Sequence, residues 1–154
     1  MAVAYIEIRF FAHATEDPNK VVEAVKRILP ADSVDEVSFK RSNLRGHYGN
    51  PIILFETKIR EKKIVKAFME KLSSGLERVD KEALMRKMRL RVERGSLYIR
   101  LSKQAALQGK LQLCTADPIR VKIHFKGGKL KDIIEACQKI GILPQPSATN
   151  IKTS

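Results

Sequence analysis

Residues 118–126 carry the cleanest alternation in the chain: Ile119, Val121, Ile123 and Phe125 fall on one side, and Arg120, Lys122, His124 and Lys126 on the other. A two-residue period puts successive side chains on opposite faces of a strand, so this segment predicts a strand with one apolar and one cationic face. The same period runs through residues 3–12, with Ile6, Ile8 and Phe10 opposed to Glu7, Arg9 and Phe11. It recurs where Leu97, Ile99 and Leu101 alternate with Tyr98 and Arg100, and over residues 52–60 with Ile53, Phe55 and Ile59. Residues 34–42, carrying Val37 and Phe39, predict one more strand before the turn formers Gly46-His-Tyr-Gly-Asn-Pro51. Leu111 and Leu113 suggest another short one.

Between these runs the period lengthens to that of a helix. Val21, Val22, Val25, Ile28 and Leu29 follow the start signal Thr15-Glu-Asp-Pro18 and end at Pro30. Ile64, Val65, Phe68 and Leu72 mark a helix over 61–74, stopped by Ser73-Ser-Gly75. Leu84, Met88 and Val92 mark a helix over 79–92, and residues 102–107 a short one before Gly109. After Gly127 and Gly128, the positions Leu130, Ile133, Ile134, Cys137 and Ile140 make a last amphipathic helix. Short links between most strands favour antiparallel pairing. The expected architecture is α+β: a mainly antiparallel or mixed sheet with helices packed on one face, in a single domain over residues 1–143. The Pro-, Ser- and Thr-containing tail, residues 144–154, lacks an apolar pattern and is expected to be disordered.

Charge changes the picture from a fold to a partner. The 154 residues carry a net charge of +13. Residues 1–80 hold 14 Lys and Arg against 12 Asp and Glu, a net of +2, whereas residues 81–154 hold 16 against 5, a net of +11. A solubilising or heat-adapted surface raises both signs together. Depletion of acids from one half points instead to a polyanion, with nucleic acid ahead of an anionic membrane. The basic stretch at 81–94 has a narrow apolar stripe without Trp or Phe, which suits core packing better than a membrane surface.

Catalytic chemistry has little local support. His13, His47 and His124 fall in unrelated segments without zinc-ligand spacing, and acids are scarce after residue 80. Phosphate-cradling glycine motifs are absent, so neither a cofactor nor a metal is expected and the chain reads as a non-enzyme. Cys114 and Cys137 sit in apolar-patterned segments and read as small hydrophobes in a reducing compartment. The start lacks a basic signal-peptide region, and no apolar run approaches the ~20 residues of a membrane span, so a cytoplasmic location is expected.

Binding has more. Alternate residues on one strand face lie about 6–7 Å apart, close to the phosphate spacing of a single strand. The outward set Arg120 and Lys122, with Tyr98 and Arg100 from the preceding strand, can hold phosphates and stack an unpaired base. A solvated sheet face is the plainer alternative.

The segments Gly46-His-Tyr-Gly-Asn-Pro51 and Leu97-Tyr-Ile-Arg-Leu-Ser-Lys-Gln-Ala-Ala-Leu-Gln-Gly-Lys-Leu111 resemble an archaeal family of predicted RNA-binding, exosome-associated proteins. The opening FAHATEDPNKVVEAVKRILP and the strand IRVKIHF agree with it, over roughly residues 3–127. The resemblance implies a fold similar to the ribosomal L-five-like class and an RNA-related role, and it brings no catalytic residues. His47 and Tyr48, more than a turn needs, then join Arg100, Lys103, Gln104 and Lys110 as ligand-facing candidates. The expected partner is RNA, with an RNA-processing complex as a further one. An adaptor docking an acidic protein is the runner-up, and a nuclease with a dispersed site the third reading. Oligomeric state is left open, a dimer through the outer sheet edge included.

Overall fold

Residues 2–146 are described by the structure, a computed structural model. The strands are β1 (Val3–Ala12), β2 (Lys40–Arg45), β3 (Pro51–Ile59), β4 (Val92–Glu93), β5 (Ser96–Leu101) and β6 (Ile119–Phe125). They form one sheet in the order β2-β3-β1-β6-β5-β4, and every neighbouring pair is antiparallel. The helices are α1 (Pro18–Arg27), α2 (Lys62–Gly75), α3 (Arg78–Arg86), α4 (Met88–Arg91), α5 (Lys103–Leu107) and α6 (Leu130–Ile140). The expected α+β class, with a mainly antiparallel sheet, is therefore the one observed.

One core joins the sheet to the helices. Ile6, Ile8 and Phe10 of β1, Ile99 of β5 and Ile123 of β6 pack with Val25 of α1, Phe68 and Leu72 of α2, and Ile133 and Cys137 of α6. This layer fixes which side of each strand meets water. A one-residue slip of β6 would bury Arg120 and Lys122 and expose Ile119, Val121, Ile123 and Phe125. Each of those four contributes roughly 1.5–3 kcal/mol by being buried. The register that secures the core thus holds the cations outside.

Three local expectations change. Val34–Glu36 forms a 3-10 turn, and the strand starts only at Lys40. Local turn bonds consume the amides of Ser33, Glu36 and Val37, while Phe39 meets Phe10 edge-on at 5.3 Å. The single helix expected over 79–92 breaks at Lys87, whose ψ of 9° leaves the helical range. The break leaves Met88 in the core and lets Val92 enter β4 opposite Leu97. Leu111 and Leu113 make no strand: contact with β5 is one bridge, Leu101 with Leu113, and the Leu113 amide donates to the Asp80 carboxylate at 3.0 Å. The disorder expected after Pro144 concerns mostly residues 147–154, which lie outside the described residues.

The last helix ends on Gly141, with φ at +97°, and its amide bonds the carbonyls of Cys137 and Gln138. A Cβ there would lie 2.6 Å from the Ser73 hydroxyl, which donates to the Ile140 carbonyl at 2.7 Å. Gly141→Ala is expected to cost about 1–2 kcal/mol through the left-handed backbone alone, measured as a lowered urea midpoint.

Candidate nucleic-acid interface

The face of the sheet away from the helices is assembled from the polar phase of each strand. Register places Arg100 of β5 opposite Arg120 of β6, and Arg120 opposite Arg9 of β1. Three guanidinium side chains therefore stand on adjacent strands. Directly opposed like charges destabilise a sheet. Among the described residues, only Arg9 is paired in this row, with Glu56 of β3 at 3.1 Å. An anion bound across Arg100 and Arg120 would relieve their repulsion.

The next row is Tyr98, Lys122, Glu7 and Lys58. The Lys122 ammonium lies 5.6 Å from the Tyr5 ring centre, 5.9 Å from that of Tyr98 and 3.9 Å from the Glu7 carboxylate. The neighbouring Tyr5 raises the pKa of Lys122 most, against a smaller pull from desolvation, with Tyr98 and Glu7 adding to the rise. Lys122 is thus a firmly charged cation in the middle of the face.

Tyr5 is a feature that sequence reasoning missed. Its ring stacks on His124 at 5.0 Å and has Lys58 at 4.0 Å and Arg60 at 5.6 Å. His124 is held in turn by the Ser96 hydroxyl at 2.8 Å. The signal was available, because residue 5 is in phase with Glu7, Arg9 and Phe11 on the outer side of β1.

The other candidates separate. Lys103 does not face outward: its side chain is only 11% exposed, and the ammonium sits 2.7 Å from Asp117 and 3.2 Å from Glu16. It also donates to the Phe11 carbonyl at 2.6 Å. Gln104 on α5 and Lys110 just beyond it are exposed, and α5 packs along α1 on the helical side. His47 and Tyr48 occupy the tip of the β2–β3 hairpin, with rings edge-on at 4.7 Å and Tyr48 88% exposed. Four strand spacings, about 19 Å, separate β2 from β5. The hairpin tip is therefore a second patch, apart from Arg100, Arg120 and Lys122.

His13, Glu16 and Asp117 bring ligand-type atoms within 4.8 Å of one another. Lys103 stands among them, and His13 Nε2 is 2.9 Å from Asp117. Burial pushes the Asp117 carboxyl up, but Lys103 and His13 outweigh it and hold the pKa below the ordinary value. Asp117 also takes a left-handed φ of 44°, unusual for a non-glycine residue. The cluster reads as an ion-pair lock tying β1 and the loop before α1 to the β5–β6 connection. A divalent ion there would have to displace a nearly buried ammonium.

Residues 5–125 match a family model described as RNA binding. The chain belongs to that family. The matched span starts inside β1 and ends on the last residue of β6, so it takes in the sheet except Val3 and Ala4 and stops before α6. An RNA-binding protein of Pyrococcus abyssi is 36% identical over 129 residues, covering 82% of this chain and 84% of the relative. A crystal structure from Archaeoglobus fulgidus, assigned to the family model DUF54, is 27% identical with a TM-score of 0.77, covering 90% of this chain and 99% of the other. A DUF54 protein from Methanothermobacter thermautotrophicus is 26% identical with a TM-score of 0.74, covering 90% and 98%. No described helix is long and apolar enough to cross a membrane.

Proposed function

We propose that this chain is a non-catalytic RNA-binding protein that grips the phosphate backbone on its open sheet face, through Arg100, Arg120 and Lys122. The observation that carries the reading is the arginine row, where Arg100 and Arg120 stand opposed without a carboxylate between them. Family membership and the RNA-binding relative support RNA over other polyanions. His47 and Tyr48 supply a separate contact for a longer RNA. We further propose, on the resemblance of its motifs, an accessory role in RNA processing or degradation, exosome-related, on a ribosomal L-five-like fold. Two free thiols, Cys114 and Cys137, suit a reducing cytoplasm.

A polarisation titration with RNA at several salt concentrations tests the electrostatic grip. Four to six phosphate contacts give a slope of log K against log salt of about −3 to −5. A slope near zero at measurable affinity would remove the mechanism. Retained binding to an acidic peptide with none to RNA would favour the adaptor reading. Cleavage of the RNA during the titration would overturn the non-catalytic one.

A further inference from the structure

The basic helical stretch and the sheet face meet in one trough. A cleft of about 140 Å³ between α3–α4 and β5 is lined by Leu84, Lys87, Arg91, Tyr98, Arg100 and Leu113, among others. An open trough of about 310 Å³ continues from it across Leu90, Arg91, Tyr98 and Arg100 to Arg120. Arg91, Tyr98 and Arg100 line both, so a chain can run from the sheet face into the cleft without a break. Apolar atoms dominate the lining of each.

Two side chains here are unexplained by the fold. Tyr98 stands 38% exposed, amid cations from α4, β5 and β6. Leu90 is 82% exposed, although it sits between Arg89 and Arg91. An aromatic ring and an aliphatic side chain on the walls of one trough, rimmed by guanidinium groups, suit a planar apolar face joined to phosphates. An unstacked nucleobase with its flanking phosphates has that chemistry. A duplex does not, because its bases are stacked inside and only its backbone and shallow groove reach a protein surface.

Building on the RNA-binding reading above, we infer that the ligand is single-stranded RNA, one base of which enters the α3–α4/β5 cleft against Tyr98, with Leu90 on the wall of the adjoining trough. Its phosphates run over Arg91, Arg100 and Arg120. The basic helical stretch and the sheet face are then two walls of one site.

The chain carries its own reporter. Cys114 is partly exposed and lines the cleft, while Cys137 is fully buried, with burial pushing its thiol up to about 12. Alkylation by a maleimide at mildly alkaline pH therefore reads Cys114, with Cys137 as the internal control. The test uses a single-stranded RNA of about 12 nucleotides, the same strand annealed to its complement, and the full-length protein. Binding is measured by polarisation and Cys114 labelling by mass spectrometry.

The single strand should bind at least about tenfold more tightly than the duplex, and it alone should slow Cys114 labelling. Tyr98→Ala should weaken it about tenfold or more with an unchanged salt slope, and Tyr98→Phe should restore it. Equal or tighter duplex binding would overturn the inference and leave RNA binding standing. So would unprotected Cys114, or a Tyr98→Ala variant as tight as the parent. Failure to bind any RNA would overturn both.

Discussion

Reversing Arg100 and Arg120 together, as Arg100→Glu with Arg120→Glu, should weaken RNA binding by at least about 100-fold at 0.15 M salt. A hydrogen bond to a charged group contributes about 1.5–3 kcal/mol, so two lost phosphate contacts already amount to about 3 kcal/mol or more. Each reversal adds repulsion, and the salt slope should flatten by about two. The fold should survive. Both side chains lie on the open face, and the double reversal exchanges one like-charge pair across β5 and β6 for another, with the new carboxylate on β6 standing opposite Arg9. Circular dichroism and the melting temperature check this point. Lys20→Glu with Lys26→Glu is the control, because both lysines are exposed on α1 in the helical layer. That variant removes the same net charge from the wrong side and should bind RNA within about threefold of the parent, since distant charges are screened beyond ~8–10 Å. Equal weakening by the two variants would mean that net charge, and not this face, holds the RNA.

The strands that build this face were legible because each separates apolar and polar residues at a period of two. From that period alone, Arg100, Arg120 and Lys122 belong to an outer face. Their shared row needed the structure, since β6 lies between β1 and β5 and pairs with a segment over 100 residues earlier in the chain. Tyr5 shows the opposite case: its phase was readable, but its cage of Lys58, Arg60, Lys122 and His124 draws on β3, the residue after it, and β6. His47 and Tyr48 were grouped with Arg100 by motif, and strand order puts them at the far edge.

The helix break at Lys87 was illegible for a different reason. Leu84 and Met88 keep helical spacing, and both are buried as that spacing requires. What ends the helix is the pull of Val92 into a strand pair with Leu97, a tertiary contact without a local signature. Lys103 was misread because a lysine at a helix start normally reaches water. Its partner Glu16 lies 87 residues away, and Asp117 was visible only as an acid in a basic half.

Lys103→Glu should be the most destabilising single change among the candidate residues. It would place a third carboxylate between Glu16 and Asp117 and leave the Phe11 carbonyl without its donor. Breaking a buried pair by removing one partner costs about 3–5 kcal/mol. Glu16 and Asp117 are 30% and 41% exposed, so screening by water brings the figure to about 2–4 kcal/mol. For a chain of this size the melting temperature should fall by roughly 5–15 °C. Lys103→Met keeps most of the stem and loses only the charge, so it should cost less and serve as the cleaner probe. Its pH dependence carries a sign. The Asp117 carboxyl titrates below its ordinary value of 3.8 in the folded chain, partly because Lys103 is there. The unfolded chain therefore takes up that proton first as pH falls, and the stabilisation is complete above the ordinary value and disappears through the lowered one. The stability gap between the parent and Lys103→Met should accordingly be full at pH 7 and shrink below about pH 4. RNA binding by Lys103→Met, measured well below its melting temperature, should match the parent's. A variant as stable as the parent but weak on RNA would move Lys103 from the lock to the interface.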